Sequence, residues 1–339
     1  MKEKKALKKK IILIFTPILV LLVILGFLVA FKLDKDKNNN TDNTLTNEES
    51  DVSYTYSNVY LLDKDNMLIP LSIKYQTIDN KAEELMYLVS LLKEDSKIAN
   101  KQFKGLIPSS TKVNSMELNN EILNINFSNE FKSYDSKNEL RILEALTWTF
   151  NDLDYVKGLT LAIDNNKLTS MPVNNTPING VLTKQFGINN YALTTAILGN
   201  SVRVLSYYEK EIDNKFYYVP VTHYVSNKDK LSIYDLTIKS LFKDPGITSS
   251  LSVCRCFDET ELVASSIVKD KKLYLSLTED ILFDESTVSL DVYKIIKETT
   301  SLLDVSDVCF LMDLEEVKVN GSKDETSSVS KIVLNNYYI

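Results

Sequence analysis

Histidine, cysteine and glycine are all scarce in this 339-residue chain, and each scarcity removes a class of chemistry. His223 is the single histidine, so any Ser-His-Asp or Cys-His mechanism would have to run through it. The three cysteines, Cys254, Cys256 and Cys309, are too few and too unevenly spaced for a disulfide framework. Whether any two of them pair is left open by the spacing, although a Cys254–Cys309 bridge is geometrically easier than one between next-but-one neighbours. With His223 they nominally form a Cys₃His zinc set, but Cys-x-Cys is not a zinc knuckle, and small buried hydrophobes are the plainer reading. The eight glycines are scattered, so there is no glycine-rich loop to cradle phosphate. Acidic residues such as Asp63, Asp65, Glu130 and Glu144 show no repeated spacing that would set a glycosidase acid and base apart from surface charge. The expectation is therefore no catalytic residue, no cofactor and no metal.

Charge is distributed unevenly. The first ten residues hold six lysines against Glu3, a net of +5, so the remainder of a chain of net charge −7 carries −12. Such a surface repels phosphate backbones and argues against nucleic acid as a partner. From residue 11 to 31 there is no charge at all, a run of ~30 Å as a helix, enough to cross a bilayer. The residues at its end do not make a small-x-small cleavage site, which favours an uncleaved anchor. No cysteine lies in or just after it, which excludes a lipid-modified cysteine there. The preceding lysines keep the N-terminus cytoplasmic and send the rest of the chain outside. We read 1–10 as a basic cytoplasmic tail, 11–31 as the spanning helix and 32–55, rich in Asn, Asp, Thr and Lys, as a flexible linker.

Beyond the linker the sequence repeats itself. Ile69-Pro70-Leu71 recurs as Val219-Pro220-Val221, and Leu123, Ile125 and Phe127 recur as Leu273, Leu275 and Leu277, all at an offset of 150. An apolar stripe at helical spacing, Leu140, Leu143, Leu146, Phe150 and Leu153, recurs as Leu290, Tyr293, Ile296, Thr300 and Leu303. The last strand, Leu159 to Ile163, matches Val308 to Met312 after a one-residue slip. Helix starts are expected at Asp79 and Asp229, and hairpin turns at Asn119-Asn120 and Lys269-Asp270. Each copy thus reads β, β, α, β, β, α, β. The fold class is α+β, two tandem copies of a small mixed or antiparallel sheet with two helices on one face. Their bounds are 56–175 and 201–320, joined by a connector over 176–200 and followed by a tail over 321–339. By the repeat, His223 corresponds to Ile73 and Cys256 to Leu106, both apolar positions.

Several segments together resemble the GerM-type sporulation and germination family with its tandem GerMN domains. In the first copy these are Val59-Tyr60-Leu61, Leu68-Ile69-Pro70-Leu71, Leu106-Ile107-Pro108, Thr111-Lys112-Val113 and the run from Leu123 to Phe131. In the connector they are Thr176-Pro177-Ile178, Leu182-Thr183 and Phe186-Gly187-Ile188-Asn189. The chain departs from many members in offering a spanning helix where they carry a lipobox cysteine. The resemblance implies a ring-building-like fold and a place in the complex joining mother cell and forespore. The expected partners are the cell membrane and either further copies or other envelope and sporulation proteins. An alternative is an extracellular wall-binding or ligand-binding module unconnected with sporulation. An aromatic cluster in the second copy, Tyr207, Tyr208, Phe216, Tyr217, Tyr218 and Tyr224, is the candidate contact surface.

Overall fold

A computed structural model describes residues 52–190, 201–245, 250–284, 286–320 and 335–337. The expected cytoplasmic tail, spanning helix and most of the linker lie outside the described residues, as do part of the connector and most of the tail. Among the described residues no helix is long and apolar enough to cross a membrane. Val52–Ile339 forms one compact unit, so the two copies pack together.

The first module opens with an antiparallel hairpin, β1 (Tyr54–Leu62) and β2 (Leu68–Gln76), in which Tyr60 faces Pro70. Helix α1 (Lys81–Leu91) follows, then β3 (Val113–Asn119), β4 (Ile122–Phe127), α2 (Glu139–Phe150), β5 (Gly158–Ile163) and β6 (Asn166–Lys167). The last four strands form a sheet in the order β3-β4-β5-β6, with β4 and β5 parallel. Each module therefore holds two sheets, where one had been expected. Helix α2 packs against β1 of one sheet and β5 of the other, so it fills the space between two β layers. Its residues from Ile142 to Phe150 are all buried, whereas Leu140, expected in a one-sided apolar stripe, is exposed.

The second module repeats this plan. Hairpin β7 (Ser201–Ile212) and β8 (Lys215–Ser226) is followed by α3 (Ile233–Leu241), β9 (Ile267–Lys269), β10 (Lys272–Ser276), β11 (Leu282–Asp284), β12 (Thr287–Val288), α4 (Leu290–Thr299), β13 (Asp307–Met312) and β14 (Glu315–Val319). Its larger sheet runs β11-β12-β14-β13-β10-β9. The one-residue slip is visible in the parallel pairs, since Leu123 faces Leu159 while Leu273 faces Val308. A short final strand, β15 (Asn336–Tyr337), adds in parallel to β2 of the first module, which shows where the tail docks.

Local corrections have local causes. The helices are capped by Asn80, which accepts from the Ala82 N–H at 3.0 Å, and by Ser232, which accepts from the Asp235 N–H at 3.0 Å. Both lie nearer the first helical turn than Asp79 and Asp229. The hairpin turns fall at Asn120-Glu121 and Asp270-Lys271, with positive φ at both central residues, the twist that two-residue hairpins require. The repeat offset also drifts. Tyr207 faces Pro220 as Tyr60 faces Pro70, and Glu209 pairs with Ser252 as Leu62 pairs with Lys104. Two residues beyond that corner, Leu106 is therefore matched by Cys254 rather than Cys256, and these two side chains are the buried ones.

Candidate functional site

The constellation with the most converging polar groups is the seam between modules, where β2 and β8 lie side by side. A proline stands on each strand, so neither edge offers a full set of N–H donors there. Two asparagine carboxamides fill the gap. Asn189 Oδ1 accepts from the Leu68 N–H at 2.8 Å, and its Nδ2 donates to Leu68 O and Pro220 O at 2.9 Å each. Asn335 does the same with the modules exchanged, accepting from the Tyr218 N–H at 2.8 Å and donating to Tyr218 O at 2.9 Å and Pro70 O at 2.8 Å. Leu68 corresponds to Tyr218 and Pro70 to Pro220, so the two clasps are related by an internal pseudo-twofold. Both asparagines are buried, where each unmade hydrogen bond would cost about 1–3 kcal/mol.

Beside the clasps lies a buried polar centre drawn from both modules and the connector. The hydroxyls of Tyr60 and its counterpart Tyr207 lie close enough to interact electrostatically. The Tyr207 hydroxyl also reaches Glu298 Oε2 at 3.5 Å. Lys184 of the connector pairs with Asp152 at 3.0 Å, and Asn58 Nδ2 donates to the other Asp152 oxygen at 3.0 Å. Burial raises both tyrosines and Glu298 above their ordinary values. Burial alone would lower Lys184, but the Asp152 and Glu298 carboxylates outweigh it and hold the ammonium charged. A second ion pair crosses the seam from Lys210 of β7 to Asp63, and to Asp65 at 2.8 Å, in the β1–β2 turn. The hydrogen bond from Lys210 lowers Asp65. These charges are matched in place, an arrangement that fixes geometry rather than moves protons.

The structure divides the aromatic cluster. Tyr207, Tyr208 and Tyr217 are buried, and Tyr217 packs edge-on against Phe103 of the first module with ring centroids 5.3 Å apart. Tyr218 is half-buried, while Phe216 and Tyr224 are exposed but eight residues apart on one strand, about 27 Å. The six therefore form no common surface, and half of the cluster is interior. His223 Nε2 lies 2.9 Å from Ser206 Oγ, and burial lowers its pKa to about 4. Ser206 is fully buried, which denies it a substrate, and Ser206 in turn lies 2.5 Å from Ser240 Oγ. Cys254 is joined to Cys256, and Cys309 is a free thiol on β13, so the nominal zinc set is not assembled. Among the described residues no group of three or more His, Cys, Asp or Glu could hold a metal.

Sequence reasoning missed Lys184, Asn335 and Glu139. The Glu139 carboxylate accepts the Tyr134 hydroxyl at 2.6 Å and the N–H groups of Val173, Asn174 and Thr176 at 3.0, 2.7 and 2.9 Å, tying the end of the first module and the first residue of the connector to the start of α2. Asn189 alone carried a signal, at the end of the Phe186-Gly187-Ile188-Asn189 segment.

Comparison with known proteins agrees with this architecture. The family model described as "Germane: Sporulation and spore germination" matches residues 58–169. The spore germination protein GerM of Bacillus subtilis (strain 168) is 28% identical over 271 residues, covering 78% of this chain and 72% of GerM. The solved tandem GerMN domains of the sporulation protein GerM from Bacillus subtilis superpose with a TM-score of 0.66 at 25% identity, covering 84% of this chain and 98% of that one. The chain is thus similar in sequence to the GerM-type sporulation and spore-germination proteins, and in fold to their tandem GerMN domains.

Proposed function

We propose that this chain is a non-enzymatic, membrane-anchored structural component of an envelope assembly serving sporulation or germination. The observation that carries the reading is the mirrored seam: two similar modules are locked into one body whose polar groups are spent on each other. In this reading residues 11–31 span the membrane, residues 1–10 stay in the cytoplasm, and the modules lie outside. Because β2 and β8 are consumed internally, contacts with copies or partners fall to the outer edges of the larger sheets. Edge strand β9 and its approach expose Val263 (66%), Ile267 (60%) and Val268 (38%), an apolar strip suited to a protein partner. Head-to-tail contacts of this kind close into rings or run on as filaments.

The test is mass photometry of the exported part across a concentration series, alone and with envelope-complex proteins of the host. Discrete larger species that vanish in an Ile267→Glu, Val268→Lys variant of unchanged melting temperature are expected. A strict monomer under every condition overturns the reading.

A further inference from the structure

The outward face of the first module's larger sheet is unlike a surface the fold requires. Ser115 and Glu117 of β3, Asn124 and Asn126 of β4, Thr160 of β5 and Lys167 of β6 line a groove of about 300 Å³, at the lower end of ligand-sized clefts. Asparagine is depleted in strands because it packs poorly on a pleated surface, yet two stand on one face of β4. The second module shows that nothing in the fold demands them. By the pairing of strands, Glu117, Asn124, Asn126, Thr160 and Lys167 are matched by Ile267, Tyr274, Ser276, Cys309 and Glu316.

The groove is also pre-organised. Asn126 is almost fully buried, with its Nδ2 donating to Asn165 Oδ1 at 2.8 Å and its Oδ1 accepting from the Asn165 N–H at 3.0 Å. Asn124 Oδ1 accepts from Thr160 Oγ1 at 3.2 Å, which orients the carboxamide. Its Nδ2 has no hydrogen-bond partner among the described residues, so it remains as a donor at the centre of the groove. Glu117 and Lys167 on the two outer strands balance in charge, leaving a neutral floor on a chain of net charge −7.

We propose that this groove binds a neutral, N-acetylated oligosaccharide. A carboxamide can both donate to an acetamido oxygen and accept from its N–H, and hydroxyls on a stiff sugar ring meet the flanking Ser, Thr and Asn groups. A rigid ligand also loses little entropy on a face that has no aromatic ring to stack on. An extended peptide engages sheets through an edge rather than through side chains on a face. An acidic ligand is opposed by the charge of the chain.

Isothermal titration of the full chain in detergent with a tetramer of N-acetylglucosamine tests the site, with a glucose tetramer and tetra-alanine as comparators. Saturable binding in the millimolar range is expected, at least about tenfold tighter than either comparator. Asn124→Thr, which suits a strand, and Thr160→Val each weaken it at least about fivefold at unchanged melting temperature, whereas Ser276→Ala on the second module leaves it intact. No saturation, equal binding of the glucose tetramer or tetra-alanine, or binding that survives both variants overturns the proposal.

Discussion

The two modules share one plan and spend it differently. In the first, α2 is buried on nearly every side and the chain entering the connector is pinned to it through Glu139, while the hairpin strands are nine residues each. In the second, α4 keeps one polar side with Asp291, Lys294 and Lys297, and the hairpin is extended to strands of twelve. The corners differ as well. Gly105 sits so close to the turn after α1 that an added Cβ would lie 1.9 Å from Lys93 O, where the second module has Val253 beside the Cys254–Cys256 bridge. What both retain is the seam: Pro70 and Pro220, Tyr60 and Tyr207, and one asparagine clasp each. Duplication has relaxed the parts that face outward or lie within one copy, and kept those on which the two copies depend together.

That contrast can be broken or sharpened by substitution. Lys210→Met leaves Asp63 buried with its charge unmatched across the seam and is expected to cost about 3–5 kcal/mol by denaturant titration, with Asp63→Leu added on top recovering much of it. Gly105→Ala forces the corner of the first module apart and is expected to cost about 3 kcal/mol, against less than about 1.5 kcal/mol for Val253→Ala in the second. Asn189→Ala and Asn335→Ala should each cost about 2 kcal/mol, and their double variant should deviate from additivity because both clasp one seam.

The smallest effect is a pH dependence confined to the second module. His223 has a folded pKa lowered to about 4 from 6.5 by burial, so the unfolded chain takes up its proton first. Stability from this residue is intact above about pH 6.5 and declines as pH falls toward 4, by on the order of 2 kcal/mol. His223→Ile, which copies Ile73 of the first module, is expected to remove that slope in melting temperature between pH 7 and 4.

Strands and helices were legible where local pattern decides them. The alternation of Leu123, Ile125 and Phe127 and its echo at Leu273, Leu275 and Leu277 follow from a pleat with one face inward. Burial of α2 on nearly every side was not legible, because the sequence showed a single apolar stripe and Glu144 among the surface charges. In the structure Arg141 and Asn190 satisfy Glu144, at 2.6 and 3.2 Å. The aromatic cluster read as surface because its partners are distant in sequence, with Tyr217 against Phe103 of the other copy. The seam was hidden for the same reason. Asn335 meets Pro70 across 265 residues, and an asparagine clasp has no periodicity to give it away.

Calorimetric unfolding of residues 52–339 tests most directly whether the two modules are one body. The mirrored clasps predict a single transition whose calorimetric and van't Hoff enthalpies agree, splitting into two in the Asn189→Ala, Asn335→Ala double variant. Two separable transitions in the unaltered protein would contradict it.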